Sequence, residues 1–183
     1  MLLDQKRTQR IVKISAILTS IAFGGIALVA IVAIIFGGFG GSGDATQERV
    51  DQARERAESQ PTSAAAWDQL ATAEYAAGHK KEAIEASQKA IALAPNDFSR
   101  TLTLVRIHTQ DGQPGQAMRV VERFIDKNPR NADAYLQLGG AAQTAGKTQV
   151  ARLAYQKFLE LDPNNPSAAQ VRQQLKDLRA SPG

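Results

Sequence analysis

The sequence contains no cysteine and only two histidines, His79 and His108, among its 183 residues. The absence of cysteine excludes disulfide bonds, thiolate metal sites and cysteine nucleophiles. Two histidines are too few for a multi-histidine metal site. A chain of this length holds one domain, or one domain with an appendage, and excludes a large multidomain enzyme.

An excess of charge is also lacking outside a short N-terminal tail. The formal net charge is +4, from 22 basic and 18 acidic residues. Residues 1–13 contain four of the basic residues and one of the acidic residues, so the rest of the chain has 18 basic and 17 acidic residues. A nucleic-acid-binding domain normally needs a basic face on its folded part. The composition therefore gives no support for a nucleic-acid partner.

One long uncharged segment stands near the N-terminus. Ile14–Phe36 is 23 residues long, and its only polar residues are Ser15, Thr19 and Ser20. About 20 apolar residues in a helix cross the roughly 30 Å hydrocarbon core of a bilayer. A cleaved signal peptide has a shorter apolar core followed by a small-residue cleavage site. The length of the segment and its exit sequence, FGGF, favour an uncleaved transmembrane helix over residues 14–36.

The flanks of this segment predict its orientation. Lys6, Arg7, Arg10 and Lys13 precede it, whereas the glycine-rich residues 37–44 follow it as a linker. The positive-inside rule then places residues 1–13 in the cytoplasm and residues 44–183 outside it, as in a single-pass protein of a bacterial inner membrane. An organelle-surface receptor with a cytosolic domain is the alternative. A stripe of small residues within the segment would allow helix packing and a possible homo-oligomer; its members are Ala16, Ser20, Gly24 and Ala27.

The remaining sequence repeats itself with a constant period of about 34 residues. Each copy has the pattern of two helices with a glycine turn between them and a proline after the second helix. The columns that show the period are Gly78, Gly112 and Gly146; Ala83, Ala117 and Ala151; Pro95, Pro129 and Pro163; Leu70, Leu104 and Leu138; and Ile91, Ile125 and Leu159.

These residues resemble the tetratricopeptide repeat (TPR) family over residues 64–97, 98–131 and 132–165. The resemblance implies an all-α, right-handed helical solenoid, and the patterns over residues 45–60 and 167–179 predict capping helices at its ends. Tyr75 is assigned to the tyrosine of the family pattern. Two phenylalanines, Phe124 and Phe158, stand where the family prefers alanine, and Gly139 is expected to make room for Phe158. The second repeat departs further, at Thr101, Val105 and His108.

The resemblance also implies a concave groove formed by the first helix of each repeat, which binds a protein or peptide. Apolar groove residues without a packing role in their own repeat indicate a partner, and Tyr75, Leu102 and Leu136 are interpreted in this way. The candidate groove residues are Asp68, Thr72, Tyr75, Leu102, Arg106, Thr109, Leu136, Gly140 and Gln143. The carboxylate clamp that some family members use to bind chaperone C-termini needs basic and amide side chains. The matching residues here are Asp68, Thr72, Thr103, Asp133 and Gln137, so the clamp is not expected.

No constellation of catalytic residues is present, so the sequence predicts a non-enzymatic protein without cofactor, metal or small-molecule substrate. His79 is expected to be solvated beside its turn, and His108 to be packed in the core. The leading hypothesis is a membrane-anchored adaptor with a chaperone-like role. Two alternatives stay open: an apocytochrome-holding factor of cytochrome c maturation, and a structural accessory subunit held in a membrane complex through its anchor helix.

Overall fold

The structure is a computed structural model that describes residues 43–180, and every regular element in this range is an α-helix. Helix α1 is described over residues 43–59, so residues 43 and 44, expected in the linker, are already helical. The other helices are α2 (Ala64–Ala76), α3 (Lys80–Leu93), α4 (Phe98–Gln110), α5 (Pro114–Lys127), α6 (Ala132–Thr144), α7 (Thr148–Leu161) and α8 (Ala168–Ala180).

The predicted membrane segment lies outside the described residues, together with its tail and its stripe of small residues, Ala16, Ser20, Gly24 and Ala27. None of the helices within residues 43–180 is both long enough and apolar enough to cross a membrane.

Neighbouring helices pack in pairs along the compact unit that begins at Glu48. Helix α2 packs on α3, α4 on α5 and α6 on α7, and successive pairs are joined by contacts of α3 with α4 and of α5 with α6. Helices α2 and α4 also touch each other directly. This regular succession of helical pairs confirms the expected all-α TPR solenoid.

Each pair turns at a glycine with a positive φ angle. Gly78 has a φ of 84°, and the matching glycines of the next two repeats have φ angles of 70° and 68°. The N–H of His79 donates to the carbonyl of Glu74 at 2.9 Å, and the N–H of Gly78 donates to that of Tyr75 at 3.0 Å. This pair of bonds is the Schellman motif, in which glycine adopts the left-handed conformation without the steric penalty of a β-carbon.

The first helix of each repeat begins at a capping side chain, which sequence analysis did not identify. Ser63, Asp97 and Asn131 occupy the same position in successive repeats, and each side chain accepts a hydrogen bond from a backbone N–H in the first turn of the following helix. Capping by Ser, Asp or Asn stabilises a helix by about 1 kcal/mol. The column therefore fixes where α2, α4 and α6 start.

Glu74, next to the groove candidate Tyr75, occupies a buried position in the interior of the first repeat. Glu74 is 2% exposed, and its carboxylate is held by Arg54 of α1 at 2.6 Å and by the Nδ1 atom of His79 at 2.7 Å. The bond to Glu74 raises the pKa of Arg54 above its ordinary value. His79 is therefore not simply solvated, since its ring contacts a buried carboxylate.

The expected exchange of volume at Gly139 involves Tyr155 instead of Phe158. A β-carbon added to Gly139 would lie 2.3 Å from Cε1 of Tyr155, which is far inside van der Waals contact. The phenol of Tyr155 therefore fills the space that a side chain on α6 would need. Phe158 is fully buried in the same core cluster, and His108 is packed in the core as expected.

Candidate protein-binding groove

Helix α4 lines a groove of about 500 Å³. Its side chains recur at helical spacing along one face of α4, and α6 contributes one more from the neighbouring pair. We call this site the α4 groove, and its lining residues are Ser99, Leu102, Thr103, Val105, Arg106, Thr109, Gln110 and Gln137.

The apolar part of the α4 groove belongs to the wall of the core. Val105 is buried within the largest core cluster, and Leu102 is half-buried against it. Leu136 is likewise half-buried, against the cluster that contains Tyr155. Core packing therefore explains part of why Leu102 and Leu136 are apolar, and the exposed part of Leu102 is what the groove can offer to a partner.

The charged part of the α4 groove is positive. Arg106 is exposed, its Nη2 atom donates to the Thr72 hydroxyl at 3.5 Å, and it has no ion-pair partner within residues 43–180. Asp68, in contrast, is bound by the Arg100 guanidinium at 3.0 Å and its side chain is only 17% exposed. Because Asp68 is neutralised within the fold, the guanidinium of Arg106 is left as the charge that a partner would meet.

The nine candidate residues divide into two groups. Three of them, Leu102, Arg106 and Thr109, line the α4 groove, and Thr72 lies at its edge through the bond to Arg106. The others do not line this groove: Asp68, Tyr75, Leu136, Gly140 and Gln143.

Two of the candidates on α6 lie beside a structural hydrogen bond. The amide oxygen of Gln143 accepts a hydrogen bond from the Tyr155 hydroxyl at 3.0 Å, and Gly140 lies next to the same hydroxyl. Burial raises the pKa of Tyr155 above its ordinary value, so the phenol remains a donor at neutral pH. Gln143 therefore holds Tyr155 in place.

Sequence analysis missed the role of two residues at this site. Val105 was recognised only as a departure from the family pattern, and Arg100 was not considered. Arg100 follows Asp97 by three residues and binds both Asp97 and Asp68. The i, i+3 spacing of Asp97 and Arg100 was a usable signal for the first of these pairs.

Three helical pairs of equal length, each with a positive-φ glycine turn, identify the fold as that of a tetratricopeptide repeat protein. Domains of this fold bind other proteins. Residues 53–169 match the model of the family described as the cytochrome c-type biogenesis protein H TPR domain. Since the match covers more than half of the chain, the protein belongs to this family.

Several curated proteins are similar to parts of this chain. It is 37% identical over 83 residues to small glutamine-rich tetratricopeptide repeat-containing protein 2 of Mycosarcoma maydis, which is 45% of this chain and 24% of the relative. It is 32% identical over 114 residues to the Hsp70-Hsp90 organizing protein of Triticum aestivum, which is 60% of this chain and 19% of the relative. The chain thus spans less than a quarter of the length of these relatives.

Solved structures are similar in fold. The crystal structure of MamA protein superposes with a TM-score of 0.57 at 19% identity, and the match covers 81% of each chain. The first TPR domain of Spaghetti (RPAP3) bound to the HSP90 peptide SRMEEVD superposes with a TM-score of 0.54 at 21% identity, over 64% of this chain and 94% of that one. At these identities the likeness shows the shared fold alone.

Proposed function

We propose that this protein is a single-pass membrane protein whose TPR domain holds a segment of apocytochrome outside the cytoplasm during cytochrome c biogenesis. The family match over residues 53–169 carries the proposal. The uncharged segment over residues 14–36 supports the anchor, and the basic residues before it support the orientation. The proposal is narrower than the sequence-based hypothesis of a general adaptor, because it names one class of client, the apocytochromes.

The α4 groove suits an amphipathic helix or an extended segment with one apolar edge. The exposed part of Leu102 would contact an apolar side chain, and the exposed guanidinium of Arg106 would pair with a carboxylate of the client. The groove is shallow and its lining contains no aromatic residue. We therefore expect an affinity in the micromolar range, about −8 kcal/mol.

Chaperone C-termini are a less suitable client. The RPAP3 domain binds an acidic HSP90 peptide, whereas the positions expected for a carboxylate clamp are Asp68, Thr72, Thr103, Asp133 and Gln137 in this chain. None of these five side chains is basic, and the exposed carboxylate of Asp133 would repel an acidic peptide. Relatives linked to Hsp70 and Hsp90 therefore do not define the partner of this protein.

Charge reversal at Arg106 tests the proposal. Full-length protein in detergent is titrated with fluorescently labelled apocytochrome c, and Arg106→Glu is expected to weaken binding about ten-fold because one charge-assisted bond becomes a repulsion. Arg119→Glu on α5 reverses an arginine that is also exposed but lies outside the groove, and it serves as the matched control. Equal binding by both variants would contradict the groove assignment.

Crosslinking in cells distinguishes the alternatives. A photoreactive residue at Thr109, in the groove, and another at Gly24, in the predicted anchor, are each followed by identification of the captured proteins. Capture of c-type apocytochromes at Thr109 supports the proposal, and capture of many unrelated envelope proteins there supports a general chaperone. One stoichiometric partner captured at Gly24 alone supports the accessory subunit instead.

The orientation has a separate test because the chain has no cysteine of its own. Leu153→Cys places a thiol on a side chain that is 67% exposed, and Thr8→Cys places one in the basic tail. A membrane-impermeant maleimide added to intact spheroplasts is expected to label the first variant and not the second. The opposite labelling would place the TPR domain in the cytoplasm.

A further inference from the structure

Two repeats secure their first helix to the preceding loop through an aromatic side chain. The indole Nε1 of Trp67 donates to the carbonyl of Pro61 at 3.0 Å. The hydroxyl of Tyr135 donates to the carbonyl of Pro129 at 3.2 Å. Both rings occupy the fourth position of their repeat, and each binds the proline carbonyl six residues earlier. The interaction is therefore a recurring feature of the fold.

The second repeat lacks this aromatic side chain. Thr101 takes its place, and its hydroxyl, one atom beyond the β-carbon, is too short to reach back to Pro95. At the C-terminal end, where Ala169 is also short, Arg172 supplies a donor to the carbonyl of Pro163 at 2.8 Å. Within residues 43–180, the carbonyl of Pro95 is the only one of these four that accepts no side-chain hydrogen bond.

A cavity of about 380 Å³ lies where the ring is missing. We call it the Thr101 cavity. Thr101, Leu104 and Phe124 are at most 5% exposed, and all three border it, as do Ile91 and Pro95. The lining is mainly apolar, and the volume falls within the lower range of cavities that bind small organic groups. The site is therefore large enough for one aromatic side chain.

A cation also borders the Thr101 cavity. In the first repeat the Nζ atom of Lys89 lies 3.8 Å from the centroid of the Trp67 ring, a cation–π contact. Arg123 is the equivalent of Lys89 in the second repeat; it borders the cavity and has no ion-pair partner within the described chain. In the third repeat the matching Lys157 is bound to Glu160. Among the three described repeats, only the second has a free cation facing a missing ring.

We propose that the Thr101 cavity binds a tryptophan side chain of a partner polypeptide. The indole would fill the apolar space, donate its N–H to the carbonyl of Pro95 and stack against the guanidinium of Arg123. The chain itself provides the precedent, since Trp67 makes all three kinds of contact in the first repeat. Phenylalanine would fill the space but leave the carbonyl without its donor.

This site is distinct from the α4 groove. At 3.6 residues per turn, Thr101 and Leu104 point about 150° away from Leu102 and Arg106 around the axis of α4. The two sites share no lining residue. The inference does not depend on the proposed client, because any partner with an exposed tryptophan would suit the cavity.

Fluorine NMR of a short peptide tests the proposal. The probe is a pentapeptide with 5-fluorotryptophan between two pairs of glycines, and full-length protein in nanodiscs is added to it. We expect saturable line broadening, about five-fold weaker binding of the phenylalanine peptide in competition, and no competition by the leucine peptide. Equal competition by the leucine peptide would overturn the assignment of an aromatic site.

Two variants locate the binding to this cavity. Thr101→Trp is expected to fill the site with the chain's own indole, raise the melting temperature and abolish peptide binding. Leu153→Trp adds the same side chain at an exposed position of α7 and should leave binding unchanged. If Thr101→Trp does not fold, Arg123→Glu on the exposed rim gives an independent result, with an expected loss of about five-fold. Unchanged binding in either cavity variant would contradict the proposal.

Discussion

In the first repeat, the interior between α2 and α3 is filled by small side chains around one buried carboxylate, whereas the third repeat fills the same space with two aromatic rings. The helices have the same lengths in both, 13 and 14 residues. The matched interior residues are Ala71, Glu74, Ser87 and Ala90 in the first repeat and Gly139, Ala142, Tyr155 and Phe158 in the third.

This difference teaches that the repeat fixes where side chains point and leaves open what fills the interior. In the third repeat the large interior side chains belong to α7, and α6 has a glycine, Gly139, opposite the ring of Tyr155. In the first repeat the matched interior side chains of α3 are small, and the interior carboxylate of α2, Glu74, is bound by Arg54 of α1. The first repeat thus depends on its capping helix, whereas the third is filled mostly by its own rings.

The largest expected effect comes from giving the third repeat an interior residue of the first. Phe158→Ala imports the alanine found at position 90, and the cavity left by a fully buried ring should cost about 3 to 5 kcal/mol. Hydrogen exchange of α6 and α7 in the full-length chain measures the loss. Leu153→Ala, on the exposed face of the same helix, should cost less than about 0.5 kcal/mol.

Trp67 fluorescence shows how far that effect spreads. Trp67 is the only tryptophan in the chain and lies in the first repeat. Stability in a repeat protein is approximately a sum of local terms. The free energy of unfolding reported by Trp67 fluorescence should therefore fall less than the free energy of opening that hydrogen exchange reports for α7. An equal shift at both places would show that the two repeats unfold as one unit.

The second prediction tests whether the first repeat depends on α1. Arg54→Ala leaves Glu74 buried with only His79 as a partner, and we expect a loss of about 2 to 3 kcal/mol at Trp67, less than for a fully buried pair because Arg54 is half-exposed. Adding Glu74→Leu should recover most of the loss, since no buried charge then remains. A double variant as unstable as Arg54→Ala alone would mean that α1 contributes through packing only.

The architecture was predictable from the sequence because it depends on columns that every repeat shares. The glycine turns and the buried leucines recur once in each repeat, and the structure confirms the helical pairs that they indicate. The cap column of Ser63, Asp97 and Asn131 recurs equally well, but three different residue types conceal it until the hydrogen bonds are seen.

The interiors were less predictable because they depend on pairs of residues on different helices. The buried Glu74 was not predicted, because its partner Arg54 lies 20 residues away on α1 and no column of the repeat indicates the pair. The partner of Gly139 was misassigned for the same reason, as Tyr155 and Phe158 lie on one helix three residues apart. The groove was predictable only in part. Asp68 of the first repeat was expected to offer its charge to a partner, but Arg100 of the second repeat neutralises it.

The third prediction concerns the close approach at Gly139. Gly139→Ala should destabilise the third repeat by about 1 to 2 kcal/mol, because the new β-carbon meets a ring that is buried and hydrogen-bonded to Gln143. In a Tyr155→Leu background the same change should become neutral or stabilising, since alanine is the better helix former. Hydrogen exchange of α6 measures both. A loss of the same size in the two backgrounds would exclude Tyr155 as the cause.

The smallest expected effect is a dependence of stability on pH. It is specific to the second repeat, because only that repeat has an acidic residue as the N-cap of its first helix. The Ser99 hydroxyl donates to Asp97 and, with Arg100 nearby, holds the pKa of that carboxylate below its ordinary value. A carboxylate with a lowered pKa adds stability above its unfolded pKa of about 4 and loses it as the pH falls through the folded value.

Asp97→Asn tests this difference, because asparagine caps a helix equally well and does not titrate. Because the Asp97 side chain is 43% exposed and solvent screens its charge, we expect the wild-type chain to lose no more than about 0.5 kcal/mol more than the variant at α4 as the pH falls below the unfolded pKa of about 4. Asn131→Asp is a second control, because Asp133 and Ala134 stand where the second repeat has Ser99 and Arg100; its carboxylate lacks the groups that lower the pKa of Asp97, and α6 should gain less acid sensitivity than α4 has. The measurement is the protection of the α4 amides from hydrogen exchange. If this protection falls equally with pH in the wild type and in Asp97→Asn, Asp97 is not the group that titrates.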